Sequence, residues 1–131
     1  MMTESNGSLT IDELYEAANE MCRKHWGVDY TGTIRLTNAK WRSWHGYFIA
    51  SNEDDSLREI RMSRYKNAKR TGEQVLDTLL HELVHWRLFT LELPYGDDDR
   101  EFVEECMRVG APFSGTDKAQ RAAKLYGGVA L

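Results

Sequence analysis

The sequence predicts an α+β fold in which helices flank a small three-stranded, mainly antiparallel sheet. Three observations predict this class. Apolar residues recur at helical spacing after Thr10, short segments between residues 33 and 62 alternate in polarity, and a strongly apolar helical stretch follows Thr71. Along the sequence, the predicted strands lie between an N-terminal helix and the apolar helix.

The first helix is predicted to begin at Thr10, because Glu13 stands three residues later and completes a capping box. Gly27 is the expected end of this helix. Residues 1–9 are polar and are expected to be disordered. A chain of 131 residues suits one domain, so we expect residues 10–131 to form a single domain.

Three segments are predicted to form strands. Residues 33–37 alternate between polar and apolar, residues 44–50 are aromatic and apolar, and a third strand lies around Leu57, Ile60 and Met62. Polar turns are expected near residues 38–39 and at 52–55. The third strand is also a candidate for binding an extended peptide, by adding it at a sheet edge.

The central helix is predicted to begin at Thr71, with Gln74 at the matching capping-box position, and to end before Pro94. Apolar side chains surround it on nearly every face, which predicts a helix buried in the middle of its domain. Two further helices are expected, at about residues 98–109 and 116–126.

This buried helix carries the sequence His81-Glu82-Leu83-Val84-His85. Residues i and i+4 lie on one face of a helix, so the two imidazoles can share one metal ion. Hydrolytic zinc sites use such ligands, and a glutamate after the first histidine can act as a general base. Burying these polar groups is costly unless they are paired or bind metal. We therefore predict one catalytic Zn²⁺ held by His81 and His85, with Glu82 as the base.

A third ligand is expected among the acidic residues that follow. The competing residues are Asp97, Asp98, Asp99, Glu101, Glu104 and Glu105. In a helix beginning near residue 98, Asp98 lies one turn before Phe102 on the apolar face that must point to the core. Asp98 is therefore the preferred ligand, with Glu101 and Glu105 as alternatives, while Asp97 and Asp99 are expected to point elsewhere and to cap the helix N-terminus, which favours acidic groups.

From about Ile34 to Val109 the chain resembles the SprT-like zinc metallopeptidases, which include the Spartan proteases of DNA–protein crosslink repair. The resemblance lies in the N-terminal helix, the small sheet, residues 60–63, and residues 77–85 with the histidine motif. That family continues to a His-Gly-x-x-Phe segment, and here residues 98–102 place Asp98 at the histidine and Phe102 at the phenylalanine.

The resemblance implies a zincin-like fold and hydrolysis of peptide bonds in protein substrates, including proteins bound to DNA. Asp98 stands where the family has its third zinc ligand, and aspartate is an acceptable ligand for zinc. No cysteine follows Cys106, so the zinc ribbon of the family is not expected. Glu82 would take a proton from the attacking water and pass it to the leaving amine. Candidate oxyanion donors are Tyr95, Arg100 and His45, with no ground for choosing between them.

Basic residues crowd the segment before the central helix. They are Arg58, Arg61, Arg64, Lys66, Lys69 and Arg70, and the segment Lys40, Trp41, Arg42 and Trp44 mixes basic and aromatic residues. Such mixtures can bind single-stranded nucleic acid, with Arg61, Arg64, Lys66, Lys69 and Arg70 as candidate DNA contacts. The favoured interpretation is a solvated basic surface with tryptophans in the core, because the net charge is −4.

Two other functions remain open. ImmA/IrrE-like regulatory peptidases also carry this histidine motif but use a glutamate of the following helix, here Glu101, Glu104 or Glu105. A non-catalytic zinc-containing module that binds DNA is the other alternative. The polar N-terminus and the absence of a long apolar segment predict a cytoplasmic protein without a membrane partner, and we expect a monomer with reduced Cys22 and Cys106.

Overall fold

The computed structural model describes residues 7–38, 45–51, 53 and 57–127. These residues form, in chain order, α1 (Ile11–Trp26), β1 (Thr33–Thr37), β2 (Gly46–Ala50), β3 (Arg58–Ser63), α2 (Arg64–Asn67), α3 (Gly72–Thr90), α4 (Arg100–Val109) and α5 (Asp117–Gly127). The predicted α+β class is confirmed. The chain divides into two compact units, Met1–Leu83 and Val84–Leu131, and the division falls within α3. The single domain at residues 10–131 stays a prediction.

Helix α1 is bounded by the predicted capping residues. The Thr10 side chain accepts a hydrogen bond from the Glu13 backbone N–H at 3.1 Å, and the Glu13 carboxylate accepts one from the Thr10 N–H at 2.9 Å. Gly27 ends the helix in the left-handed conformation, which glycine adopts without steric cost. Leu14, Ala18 and Cys22 form its buried face.

The three-stranded sheet is mixed, and not mainly antiparallel as the sequence predicts. Its strand order is β1-β3-β2, with β3 parallel to β1 and antiparallel to β2. The central strand is β3, which pairs with a neighbour on each side, and its Ile60 and Met62 side chains are fully buried. Strand direction depends on how the chain crosses from β1 to β2, and a pattern of alternating polarity contains no information on that crossing.

The hypothesis that β3 binds an extended peptide at a sheet edge is wrong. Strand β3 is hydrogen-bonded on both sides, from Thr33–Thr37 on one and from Gly46–Ala50 on the other, so its backbone groups are already paired. The edges of this sheet are β1 and β2. Any added strand would have to pair with one of them.

Helix α3 begins with the predicted capping box. The Thr71 hydroxyl accepts from the Gln74 N–H at 3.1 Å, and the Gln74 side chain accepts from the Thr71 N–H at 3.0 Å. From Val75 to Phe89 most of its side chains are buried, as the all-round apolar pattern predicts. The helix ends at Thr90, where Glu92 adopts a left-handed φ of 59° and the Leu93 N–H bonds the Leu88 carbonyl at 2.9 Å.

In the second unit, α4 packs on α5. The first turn of α4 begins at Arg100, two residues later than predicted, and Gly110 ends this helix in the left-handed conformation. Phe102, Val103, Cys106 and Val109 form its buried face. The short helix α2, at Arg64–Asn67, was not expected from the sequence.

Several sequence predictions concern residues outside the described part of the chain. These are residues 1–6 of the expected disordered N-terminus, the basic and aromatic residues Lys40, Trp41, Arg42 and Trp44, and most of the turn at 52–55. Gly7, by contrast, is described and buried, and a Cβ placed on it would lie 1.9 Å from the Asn67 carbonyl oxygen. Among the described helices, none combines the length and apolar character that crossing a membrane requires.

Candidate metal centre

Two of the predicted ligands, His81 and His85, lie one turn apart on α3. This spacing is a local property of one continuous helix, because residues i and i+4 share a face. His81 is 9% exposed, and the His85 side chain is 12% exposed. Glu82 is 6% exposed and precedes His85 by three residues, a spacing that also brings side chains together on a helix.

Asp97 completes a group of three residues whose ligand atoms all lie within 4.8 Å of one another. The group consists of His81, His85 and Asp97, and such a donor set could hold a metal ion. Asp97 and His85 belong to the same unit of the chain, where Oδ1 of Asp97 lies 3.0 Å from Nε2 of His85. The structure therefore brings Asp97, rather than the preferred Asp98, to the histidines.

The preference for Asp98 depended on placing that residue inside a helix. Helix α4 begins only at Arg100, and Asp98 occupies a turn before it, so helical periodicity does not determine its direction. The Asp98 carboxylate instead lies 3.4 Å from Nζ of Lys118, and the side chains of Lys118 and Asp98 are 73% and 42% exposed. Asp98 thus forms a surface ion pair in the same turn that carries Asp97.

The imidazole of His85 is held on three sides. Its Nδ1 lies 2.5 Å from the Tyr95 carbonyl oxygen, which can only accept, so Nδ1 carries the proton and donates. Its Nε2 faces Asp97. The Phe102 ring stacks on it with centroids 4.0 Å apart and an interplanar angle of 14°. Metal-binding histidines commonly donate their second ring N–H to a carbonyl in this way, which fixes ring orientation.

The contact between His85 and Asp97 fits a bound cation. With Nδ1 donating to Tyr95, a neutral His85 ring would present a lone pair at Nε2, 3.0 Å from the Asp97 carboxylate oxygen, and a cation could bind both atoms. A protonated ring would instead donate from Nε2 to Asp97 as an ion pair. Two ligands of one tetrahedral zinc ion are separated by about 3.3 Å when each bond is about 2.0–2.1 Å. The donors present therefore fit zinc.

The three candidate oxyanion donors have different surroundings. The Tyr95 backbone contacts His85, and its ring packs edge-on against Phe89 with centroids 5.2 Å apart. The Arg100 guanidinium lies over the Tyr126 ring at 5.1 Å. His45 precedes β2, where burial and then the nearby charges of Arg70 and Lys66 lower its pKa. Tyr95 contacts the candidate ligand His85 through its backbone carbonyl.

Most of the candidate DNA contacts have partners within the protein. Arg61 bonds Glu59 at 2.5 Å and the Tyr47 hydroxyl at 3.0 Å. Arg70 donates to Asn67 and to Thr78, both at 2.9 Å. Of the remaining three, Arg64 and Lys69 are exposed, and Lys66 is half-buried. Arg64 donates to Asn38 at 2.7 Å, and Nζ of Lys69 lies 4.4 Å above the Tyr65 ring. These contacts fit a structured basic surface and leave DNA binding as a prediction.

The glutamates that an ImmA/IrrE-like site would use lie on α4. None of Glu101, Glu104 and Glu105 belongs to the group of three ligands found among the described residues. Glu105 bonds Nε of Arg108 at 2.9 Å and faces it as an ion pair one turn away. The alternative ligands Glu101 and Glu105 are therefore not part of the group of His81, His85 and Asp97 found among the described residues.

Comparison with known proteins gives no relative: no protein-family model, curated protein or solved structure matches this chain.

Proposed function

We propose that this chain is a zinc-dependent metallopeptidase, in which His81, His85 and Asp97 hold the metal and Glu82 is the general base. One observation carries the proposal: three ligand atoms gather within 4.8 Å on and beside a buried helix that also carries Glu82. Two imidazoles with one carboxylate form a donor set that hydrolytic zinc enzymes use, and three protein ligands leave a position for water or substrate.

When bound, zinc supplies Lewis acidity toward water and toward a peptide carbonyl. The residues around it have separate tasks. His85 is oriented by the Tyr95 carbonyl and the Phe102 ring, so its Nε2 points to the ligand group without rearrangement. Asp97 adds a negative charge that partly neutralises the cation.

Glu82 would move the proton. Its carboxylate is an acceptor, so it would take a proton from the attacking water at Oε and then give that proton to the leaving amine nitrogen. Its burial excludes bulk water, which would otherwise compete for that proton. Glu82 follows His81 directly in the sequence and lies about one helical turn before His85.

The resemblance to SprT-like peptidases supports a protein substrate. Phe102, the residue that matches the family's phenylalanine, stacks on a candidate ligand, which gives this match a physical role. The negative third ligand departs from the histidine of that family, and here it is Asp97, one residue before the matching position. We propose protein substrates, with DNA-associated proteins as a class to be tested.

Replacement of Glu82 by Gln tests this function. Glutamine keeps the size of the side chain but cannot accept the proton, so hydrolysis of an unfolded protein by the zinc-loaded chain should fall by about 10²–10⁴-fold. Glu73→Gln, on the exposed start of α3, is the matched control and should retain full activity. Zinc content should be equal in all three proteins. Hydrolysis by the Glu82→Gln protein at the wild-type rate would contradict the assigned base.

The same assay also distinguishes the peptidase from the non-catalytic DNA-binding module. It is run with and without single-stranded DNA at two salt concentrations, because binding through phosphate contacts weakens steeply as salt rises. Salt-dependent DNA binding by a zinc-loaded wild-type chain that cleaves no protein would favour the DNA-binding module over the peptidase.

A further inference from the structure

A closed turn of four residues, Gly96 to Asp99, precedes α4 and carries Asp97. The Asp99 N–H donates to the Gly96 carbonyl at 3.1 Å, and the Gly96 N–H donates to Oδ2 of Asp99 at 2.8 Å. The two hydrogen bonds join the same two residues in opposite directions. Asp97 and Asp98 lie between them, so the backbone that carries Asp97 is fixed at both ends.

Asp99 stands at the N-cap of α4 but does not cap it. An aspartate at this position ordinarily accepts from the N–H groups of the first helical turn. Here the Asp99 backbone has the usual extended N-cap conformation, with φ −79° and ψ 143°, yet its side chain makes no capping hydrogen bond. The carboxylate turns back to Gly96 instead. The side chain therefore serves the turn and not the helix.

Gly96 leaves space for this carboxylate. A Cβ added at Gly96 would lie 3.0 Å from Oδ2 of Asp99 and 3.6 Å from Oδ1 of Asp98. The first distance is tighter than ordinary van der Waals contact, so a larger residue would push the Asp99 carboxylate away from the Gly96 N–H. The hydrogen bond between Gly96 and Asp99 therefore requires a residue without a Cβ at position 96 and an acceptor side chain at position 99.

Packing alone does not hold Asp97 in place. Its side chain is 42% exposed, yet Oδ1 lies 3.0 Å from Nε2 of His85. A partly exposed carboxylate on a loose loop would lose conformational freedom on binding a metal, which weakens affinity. The closed turn removes that freedom beforehand.

We infer that Asp99 is a positioning residue for the metal centre, acting through Asp97. This inference rests on the proposed zinc site. The Asp99 carboxylate closes the turn at Gly96, and the turn directs Asp97 toward His85. Asp97 is therefore preorganised before the metal binds. Removal of a residue that orients a metal ligand commonly weakens metal affinity by about 10–100-fold.

Zinc affinity of the full chain, measured by competition with a chromophoric chelator, tests the inference. Asp99→Ala should weaken binding by about 10–100-fold. Asp99→Asn keeps an oxygen that can accept from the Gly96 N–H and should recover most of the affinity. Asp98→Ala, in the same turn, is the matched control and should bind zinc as the wild type does. Equal affinities for Asp99→Ala and Asp98→Ala would overturn the inference.

A double-mutant cycle with Asp97→Ala distinguishes positioning from a general effect on folding. If Asp99 acts through Asp97, adding Asp99→Ala to Asp97→Ala should change the zinc affinity by less than about twofold. Additive losses would overturn the inference. The thermal stability of the metal-free proteins is measured alongside, because a purely structural role would lower that stability and leave the zinc affinity unchanged.

Gly96→Ala gives a second route if Asp99→Ala does not fold. The added Cβ should displace the Asp99 carboxylate and weaken zinc binding, while a folded Gly96→Ala protein with wild-type affinity would contradict the inference. Absence of zinc binding by the wild type would instead contradict the proposed function. Wild-type binding with no effect from either turn variant would contradict the role of Asp99 alone.

Discussion

The Phe102 ring lies parallel to the His85 imidazole, with centroids 4.0 Å apart. Phe102 is fully buried on α4, and His85 is a candidate zinc ligand on α3. The stacked ring restricts rotation of the imidazole, while the Tyr95 carbonyl holds Nδ1. The orientation of the ligand is therefore set by core packing as well as by hydrogen bonding.

Phe102→Leu should weaken zinc binding by about tenfold or more, because a branched aliphatic chain cannot hold the imidazole plane. It should also lower the free energy of unfolding by about 0.5–3 kcal/mol, as core substitutions typically do. Affinity is measured by chelator competition and stability by urea denaturation.

Val103→Ala is the control for this prediction. Val103 is equally buried on α4, so its truncation should reduce stability while leaving zinc affinity within a few-fold of wild type. If both variants change zinc affinity equally, the effect of Phe102 comes from general loosening and not from the stacked ring.

Asp97 and Asp98 should differ sharply in their effect on the metal. Asp97→Ala removes one of the three proposed ligands, and its zinc affinity should fall by more than about 100-fold, which exceeds the loss expected when a residue that only orients a ligand is removed. Asp98→Ala breaks only an exposed ion pair with Lys118, and such pairs contribute about 0–1 kcal/mol. A larger affinity loss for Asp98→Ala than for Asp97→Ala would return the ligand to the position that the family resemblance suggests.

His45 should make the stability of the fold depend on pH. Burial, together with Arg70 and Lys66, lowers its pKa from 6.5 in the folded chain. Below pH 6.5 the unfolded chain therefore binds this proton more readily, and the free energy of unfolding should fall as pH drops from 6.5 toward the lowered pKa. Well above pH 6.5 the histidine is neutral in both states and contributes no slope.

The measurement is urea denaturation of the metal-free chain at pH 7.5, 6.5 and 5.5, for wild type and His45→Gln. Glutamine does not titrate, so the loss of stability between pH 6.5 and 5.5 should be smaller in the variant. An identical slope in both proteins would show that His45 does not have a lowered pKa.

The helix boundaries could be predicted because their signals are local. Both predicted capping boxes are formed, at Thr10 with Glu13 and at Thr71 with Gln74, and Gly27 ends its helix in the left-handed conformation. Each signal lies within a few residues of the boundary that it sets. The histidine pair could be predicted for the same reason, because its two members lie one helical turn apart.

The candidate third ligand and the sheet topology could not be predicted from periodicity. Asp97 reaches His85 from a turn closed by Gly96 and Asp99, and helical spacing does not describe a turn. A usable signal was present, since Gly96 and the aspartates that follow it are residue types that favour turns. The parallel pairing of β1 with β3 depends on contacts distant in sequence.

X-ray absorption at the zinc edge tests the central claim most directly, because it reports the atoms bound to the metal. We predict one zinc ion per chain, bound by two imidazole nitrogens with oxygen in the remaining positions and no sulfur. The Asp97→Ala protein should lose one oxygen ligand or the zinc itself. A wild-type chain that binds no zinc, or a spectrum with zinc–sulfur bonds from Cys22 or Cys106, would contradict the account.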